Sequence, residues 1–157
     1  DGKVKTVFSS NEAIYEHLPN TDAIIGAVLV TGAKAPKLIT REMLKIMKPK
    51  TVLVDVSVDQ GGCFETTKPT THSEPTYYVD DILHYAVANM PGAVPRTSTH
   101  ALSNCTFSYA KILSEQPLKN LDINFKKGIN MYDGNITNRE VAEAFKLPYS
   151  SINNFLN

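Results

Sequence analysis

The 157-residue sequence has little that is typical of disulfide-stabilised, metal-binding or nucleic-acid-binding proteins. It contains two cysteines, Cys63 and Cys105, far apart and without a CxxC partner, which excludes a disulfide framework and the usual zinc-ligand spacing. Its 16 basic residues balance 16 acidic residues, and a net charge of zero argues against a surface for nucleic acid. We therefore predict no metal site and no nucleic-acid partner, and we interpret the two thiols as buried or idle.

Long apolar runs are also absent from the sequence. The most apolar stretch, residues 23–30, is far shorter than the roughly 20 residues that a membrane-spanning helix needs. No charged leader precedes an apolar segment at the N-terminus, and no internal repeat is visible. These features predict a soluble, cytoplasmic protein without a membrane partner.

The first part of the chain alternates apolar strands with short helices. Residues 3–8, 22–30 and 51–56 are predicted strands, and the continuous apolar character of 22–30 predicts burial on both faces of a sheet. Residues 12–18 and 41–47 are predicted helices, which begin after capping residues and end before prolines. This alternation predicts right-handed βαβ units, an α/β fold and a parallel sheet.

The pattern changes after Val56. Residues 57–76 form a long predicted loop, which we interpret as ordered and functional, and residues 85–88 form a further predicted buried strand. A long helix is predicted from about residue 97 to 114, with an apolar stripe that suits a core or a subunit interface. Two weaker helices follow at about 118–126 and 139–145, with a turn or short hairpin at 133–135.

Three predicted strand exits point to a ligand crevice. Residues 27–33, 56–62 and 87–92 each leave a buried strand into a turn that contains glycine or proline. In open parallel sheets, ligands bind beyond the carboxyl ends of the strands, where these exits present an apolar shelf and backbone N–H groups to a flat heterocycle. Asp59 and Asn89 are the candidate polar groups; alternatively, Asp59 caps its own loop and Asn89 satisfies loop backbone.

The remaining polar candidates are weaker. A lone histidine more often makes structural hydrogen bonds than acts as a base, and loop cations are usually solvated even where they could contact a ligand. These candidates are His72, His84, His17, His100, Lys34 and Arg96. The chain also lacks a GxGxxG motif after a strand, so it does not contain the usual pyrophosphate-binding turn of dinucleotide folds.

Three sequence blocks resemble the alanine dehydrogenases. They are GAVLVTGAKAP at 26–36, VDVSVDQGGCFETTKPTTHSEPTY at 54–77 and HYAVANMPGAVPRTST at 84–99. The resemblance covers roughly residues 3–150. A domain of the nicotinamide nucleotide transhydrogenases is also similar, in the KAPKL-like and Gly-Gly elements, but it differs at Asp59-Gln60 and ranks second.

The resemblance implies NAD-dependent, reversible oxidative deamination of L-alanine to pyruvate and ammonia by a homohexamer. It implies that residues 1–95 are the C-terminal half of a Rossmann-type NAD-binding domain, and that residues 96–157 are helices that rejoin the substrate domain. The catalytic histidine and the residues that bind the pyruvate carboxylate then belong to an N-terminal half, which is the implied partner. The alternative is a non-catalytic remnant or assembly module.

The resemblance also implies roles for individual residues. Asp59 matches the catalytic aspartate, which assists proton transfer as the imine intermediate is hydrated and collapses, and Asn89 matches an active-site asparagine beside the nicotinamide. Ser9 matches a position near the adenosine of NAD. The other implied cofactor-binding residues line the crevice: Val28, Leu29, Val56, Asp59, Val87, Asn89, Met90 and Pro91.

Overall fold

The computed structural model describes residues 2–30 and 34–156. The chain divides into two compact units, Asp1–Ala93 and Val94–Asn157. The strand exit predicted at 27–33 lies partly outside the described residues, because 31–33 are not among them.

The first unit contains a four-stranded, mostly parallel sheet. Its strands are β1 (Ala23–Gly26), β2 (Val52–Asp55), β3 (Thr76–Val79) and β4 (Ile82–Tyr85), in the order β1-β2-β4-β3. β2 pairs in parallel with both β1 and β4, whereas β3 pairs antiparallel with β4. The predicted α/β class with a parallel sheet is confirmed.

Helical segments cover the sheet and bury its core. Helix α1 (Asn11–His17) begins at Ser10, whose Oγ accepts a hydrogen bond from the amide of Ala13 at 3.1 Å, and a 3-10 turn follows at Leu18–Asn20. The helix predicted at 41–47 is a 3-10 helix, Glu42–Ile46. The largest buried apolar residues of the core cluster are Leu44, Leu53, Phe64 and Ile82.

Of the two strand predictions at the start of the chain, the first is wrong and the second is wrong in extent. Residues 3–8 form no strand, and Val4 and Phe8 are 81% and 93% exposed. Strand β1 covers only part of 22–30, and Ile25 on it is 70% exposed, so the strand is not buried on both faces. The reason is position: within residues 2–30 and 34–156, β1 pairs with β2 alone and lies at the edge of the sheet, and a β-forming segment without a neighbour does not stay a strand.

The strand predicted at 85–88 is shifted, and its hairpin partner β3 was missed. Strand β4 ends at Tyr85, and it is joined to β3 by Asp80 and Asp81, whose φ angles of 48° and 62° suit a two-residue hairpin turn. Residues 86–88 pair instead with Thr70, through Thr70 N–H to Ala86 O at 2.9 Å and Ala88 N–H to Thr70 O at 3.1 Å. The signal in the sequence was the aspartate pair between two aromatic and β-branched runs.

The long segment at 57–76 has fixed contacts, as predicted. It contains a 3-10 turn at Val58–Gln60, and single bridges join Phe64 to Ile39 and Thr70 to Val87. Phe64 is 2% exposed, so this segment contributes a core side chain although it contains little regular structure.

The second unit is mainly helical. It contains α2 (Pro95–Glu115), α3 (Ile123–Lys127), a hairpin of β5 (Met131–Tyr132) and β6 (Asn135–Ile136), and α4 (Arg139–Phe145). The long helix, the hairpin and the last helix are confirmed, and the helix predicted at 118–126 is divided into a 3-10 turn, Leu118–Asn120, and α3. A further 3-10 turn lies at Ile152–Phe155.

Helix α2 contributes no buried residue to this unit. Leu102, Tyr109 and Leu113 are 48% to 66% exposed, so the predicted apolar stripe forms no core in the chain by itself. Cys105 on the same helix is exposed, so of the two thiols only Cys63 is buried. Across the residues that the structure describes, none of the helices is both long and apolar enough to cross a membrane.

Candidate functional site

The segments that leave β1 and β2 enclose a cavity of about 280 Å³ at the carboxyl ends of these strands. It is lined by Ala27, Val28, Leu29, Val56, Ser57, Asp59 and Gln60. Four residues named from the sequence, Val28, Leu29, Val56 and Asp59, therefore lie around one space. Most of its wall is aliphatic, and Ser57, Asp59 and Gln60 are its polar side chains.

Ser57 joins the two walls of this cavity. Its Oγ donates to the carbonyl oxygen of Val28 at 2.8 Å and accepts from the amide of the same residue at 2.8 Å. The amide of Val56 also donates to the carbonyl oxygen of Gly26 at 2.8 Å. The spacing between the strand exits is thus set by hydrogen bonds, and Ser57 is a residue that the sequence interpretation missed.

Asp59 lies on the 3-10 turn Val58–Gln60, which follows β2. Its side chain is exposed, and within the described part of the chain its carboxylate accepts no hydrogen bond, so it does not cap its own loop. The turn ends in Gly61, whose φ of 88° is left-handed and whose amide donates to Val58 O at 3.0 Å. The carboxylate is therefore available to a ligand or to water in the cavity.

Gln60 adds an unusual acceptor beside Asp59. Its Oε1 is buried and has no hydrogen-bond partner among the residues described, while its backbone carbonyl accepts from the amide of Ala35 at 3.0 Å. Buried polar atoms are almost always paired, so an unpaired acceptor at a cavity is a position where a ligand donor would be stabilised.

The third strand exit does not line this cavity. Because β4 pairs in parallel with β2, the two strands have their carboxyl ends at the same edge of the sheet. Val87 is fully buried, whereas Asn89 is exposed with a left-handed φ of 56°, and its carbonyl oxygen accepts from Nε2 of His72 at 3.1 Å. Met90 and Pro91 begin the 3-10 turn Met90–Ala93. Val87 therefore presents neither its side chain nor its backbone to a ligand.

Ser9 lies at a second and larger cavity. This space of about 560 Å³ extends along β1 and is also lined by Ile14, His17, Ile24 and Phe64. It shares Ala27 and Val28 with the smaller cavity, so the two are neighbours. Ser9 and Asp59 are therefore in adjacent spaces and do not share one.

His84 has a structural role, as predicted. It is 1% exposed; its Nδ1 donates to the carbonyl oxygen of Ile82 at 3.0 Å, and its Nε2 accepts from Oγ1 of Thr66 at 2.7 Å. The ring of Tyr77 stacks on it at 4.9 Å between centroids. Burial lowers the pKa of His84 below its ordinary value, which keeps the imidazole neutral.

A buried carboxylate fixes the segment that follows the turn. Asp55, at the end of β2, is 1% exposed and accepts from the backbone amides of Ser57 at 3.0 Å, Cys63 at 2.9 Å and Phe64 at 3.3 Å. It also accepts from the hydroxyl of Thr67 and, at 3.5 Å, from the thiol of Cys63. Burial, and then the charge of Asp55, raise the pKa of Cys63 to about 11. The sequence signal was a carboxylate within an apolar strand.

Comparison with known protein families shows which family this chain belongs to. Residues 1–139 match the family described as "Alanine dehydrogenase/PNT, C-terminal domain". The chain belongs to this family. The resemblance found in the three sequence blocks is thereby confirmed, and the mostly parallel sheet is the fold of the family's C-terminal domain.

Individual relatives agree with this assignment. An alanine dehydrogenase of Halomonas elongata is 58% identical over 94% of this chain and 41% of its own length. One from Staphylococcus haemolyticus is 49% identical over 99% of this chain and 43% of its own length. The chain thus spans about two fifths of the curated relatives that it matches.

Solved structures show the same fold. A structure named L-alanine dehydrogenase superposes with a TM-score of 0.76 and 41% identity, over 92% of this chain and 41% of that one. A transhydrogenase from Sinorhizobium meliloti superposes with a TM-score of 0.64 at 23% identity, over 84% of this chain and 36% of that one, which shows a shared fold alone.

Proposed function

We propose that this chain is the C-terminal part of an NAD-dependent alanine dehydrogenase, which converts L-alanine reversibly to pyruvate and ammonia. The observation that carries the proposal is the carboxylate of Asp59, which has no hydrogen-bond partner among the described residues and lies at a largely aliphatic cavity, in a chain of the alanine dehydrogenase family. Residues 1–95 would form the second half of the NAD-binding domain, and residues 96–157 would join the substrate domain.

The cavity walls fit the flat, partly apolar nicotinamide half of NAD. Val28, Leu29 and Val56 supply an aliphatic shelf, and the buried Oε1 of Gln60 supplies an unpaired acceptor beside it. In the proposal, the adjacent exit contributes Asn89, Met90 and Pro91, and the buried Val87 precedes them in the core. Ser9, at the neighbouring cavity, would contact the adenosine part of the cofactor.

Asp59 would move protons during the hydrolytic half of the reaction. NAD, when bound, supplies the acceptor for the hydride that leaves Cα of alanine. The carboxylate of Asp59 takes a proton from the water that attacks the imine carbon and returns it to the nitrogen. As the C–N bond breaks and ammonia leaves, the carboxylate takes the remaining hydroxyl proton, and the carbonyl group of pyruvate forms. A carboxylate without a competing hydrogen bond suits this role, since it must accept and release a proton in turn. Asn89 would orient the reacting groups.

The N-terminal half of the enzyme is the proposed partner of this chain. In the part of the chain that the structure describes, one edge of strand β1 is unpaired, and the apolar residues Ile25 and Leu29 near it are 70% and 74% exposed. The larger cavity extends alongside. Exposed strand edges and apolar patches of this kind are normally covered. That half would supply the glycine-rich turn and the groups that bind the pyruvate carboxylate, and the whole protein would form a homohexamer.

The test is a chimera in which this chain replaces the matching two fifths of the Halomonas elongata enzyme. We expect alanine-dependent reduction of NAD, followed at 340 nm, and a fall in turnover of about 10²–10⁴-fold for Asp59→Asn, since positioned acid–base catalysis has typically that size. Asp22→Asn is the matched control, because Asp22 is an exposed partner of Lys48 outside both strand exits. Full activity of the Asp59→Asn chimera would contradict the catalytic assignment.

A non-catalytic assembly module is the second candidate, favoured by the missing GxGxxG motif. The two candidates differ in cofactor binding. Titration of NADH fluorescence against the chain alone and against the chimera distinguishes them: an enzyme half binds NADH once it is joined to its partner, whereas an assembly module leaves the chimera without NADH binding at this cavity.

A further inference from the structure

The loop that contains Asp59 is held on a second side by a lysine. In the Asp59 loop, defined as residues 56–64, Nζ of Lys37 donates to the carbonyl oxygens of Gly61 at 2.5 Å, Gly62 at 2.8 Å and Phe64 at 3.2 Å. An ammonium group has three N–H donors, and all three are directed at this loop. Lys37 is an exposed residue, yet its ammonium group binds three carbonyl oxygens of this loop.

Lys37 and Asp55 contact complementary groups of the same loop. Asp55 accepts from backbone amides on both sides of Asp59, at Ser57, Cys63 and Phe64, whereas Lys37 binds carbonyl oxygens that follow Asp59. Charge-assisted hydrogen bonds of this kind are about twice as strong as neutral ones. The carboxylate of Asp55 therefore binds N–H groups of the loop, and the ammonium group of Lys37 binds C=O groups of the same loop. Both residues restrain it.

Two glycines make this arrangement possible. Gly61 and Gly62 have left-handed φ angles of 88° and 75°, which turn consecutive carbonyl groups toward Lys37. A Cβ atom at Gly62 would lie only 2.6 Å from Oδ2 of Asp55, so no side chain fits there. The Gly-Gly pair therefore allows the Asp59 loop to contact Lys37 and Asp55, in addition to leaving space near a ligand.

Neither charged residue lines the cavity, yet each contacts the loop close to Asp59. Asp55 binds the amide two residues before Asp59, and Lys37 binds the carbonyl two residues after it. We propose that Lys37 and Asp55 are positioning residues, which fix the Asp59 loop so that the Asp59 carboxylate is held in place for proton transfer. This inference rests on the catalytic role proposed for Asp59.

The first test is kinetic and uses the chimera described above. We expect Lys37→Met to lower kcat by about 10²-fold, the size typical of a reacting group displaced by about 1 Å, with a smaller change in the KM for NAD. Asp55→Asn should behave similarly. One carboxylate oxygen would become an NH2 group, which cannot accept the hydrogen bonds that the backbone N–H groups of the loop donate. Lys48→Met is the control, since Lys48 pairs with Asp22 and does not contact the loop; it should keep full activity.

A double variant separates positioning from general stability. If Lys37 acts through Asp59, Lys37→Met should add no further loss of kcat in an Asp59→Asn background, because the positioned group is gone. A residue that only stabilises the fold would give losses that multiply. Multiplied losses, or a Lys37→Met chimera as active as Lys48→Met, would overturn the proposal.

The second test follows the loop directly and uses this chain by itself, not the chimera. Cys63 is fully buried against Asp55, so in a Cys105→Ser background its reaction with a thiol reagent reports opening of the loop. We expect Lys37→Met to speed this reaction at least tenfold while the far-ultraviolet circular dichroism is retained; should that variant fail to fold, Lys37→Gln, which keeps two donors, takes its place. If the rate at which Cys63 reacts is unchanged in Lys37→Met, Lys37 does not restrain the Asp59 loop and the proposal is overturned. If Asp59→Asn leaves turnover intact, the proposed function fails, and this rate alone decides whether Lys37 restrains the loop.

Discussion

Two segments of the first unit show opposite relations between composition and structure. Residues 3–8 and β1 are rich in strand-forming residues, yet Val4, Phe8 and Ile25 are 70% to 93% exposed, and β1 is an edge strand of the described sheet. The Asp59 loop is rich in glycine and polar groups, yet Cys63 and Phe64 in it are 0% and 2% exposed. A strand needs a neighbour to pair with, whereas a loop can be fixed by a few well-placed charged groups.

The largest expected difference between the two segments comes from their phenylalanines. Phe64→Ala should lower the free energy of unfolding by about 3–5 kcal/mol, because it leaves a cavity in the core. Phe8→Ala removes the same side chain from an exposed position and should change it by less than about 0.5 kcal/mol. Urea unfolding of both variants measures this. Equal losses would show that residues 3–8 are packed in solution.

The junction between β1 and the loop gives a second contrast. An added Cβ at Gly26 would overlap Sγ of Cys63 and lie 2.7 Å from Cζ of Phe64, so Gly26→Ala should cost about 1–3 kcal/mol through overpacking. Gly2→Ala is the control, because nothing lies within 4 Å of its added Cβ. Urea midpoints compare the two. A neutral Gly26→Ala would mean that β1 separates from the loop at little cost.

The smallest expected effect is a pH dependence of the free energy of unfolding, which comes from the buried His84 on β4. The pKa of His84 is lowered by burial from its ordinary 6.5, so the unfolded chain binds the proton more readily than the folded chain. Neutral His84 therefore makes its full contribution to the free energy of unfolding above about pH 6.5. This contribution is lost as the pH falls below that value. Protonation would place a hydrogen on Nε2, which accepts from Thr66.

Urea unfolding across this pH range checks the sign. We expect His84→Gln to reduce the loss of stability below the ordinary pKa, whereas His100→Gln, on the exposed α2, should leave it unchanged. A parent chain whose stability rises on acidification would contradict the assignment of His84 as neutral and buried.

Much of the fold could be predicted from local patterns. The capping residue Ser10 marks the start of α1, and the helix predicted at 139–145 coincides with α4. The placement of Val28, Leu29, Val56 and Asp59 around one cavity follows from the rule that neighbouring parallel strands bring their carboxyl ends together. These features depend on residues close in sequence or on general properties of parallel sheets.

The missed features depend on contacts between distant residues. Lys37 and Gly61 are 24 residues apart, and Ser57 and Val28 are 29 apart, so no local pattern shows that they bond. Residues 3–8 were predicted as a strand because propensity describes what a segment can form, whereas pairing depends on what lies beside it.

The sequence alone therefore determined the family, the α/β class and the polar group at the strand exit, because motifs and periodicity are local properties of the chain. The tertiary structure decided which apolar segments have a partner and which polar residues hold the Asp59 loop. Burial and hydrogen-bond pairing are properties of neighbours in space, and those neighbours are chosen only when the sheet forms and brings Lys37 and Asp55 to the same loop.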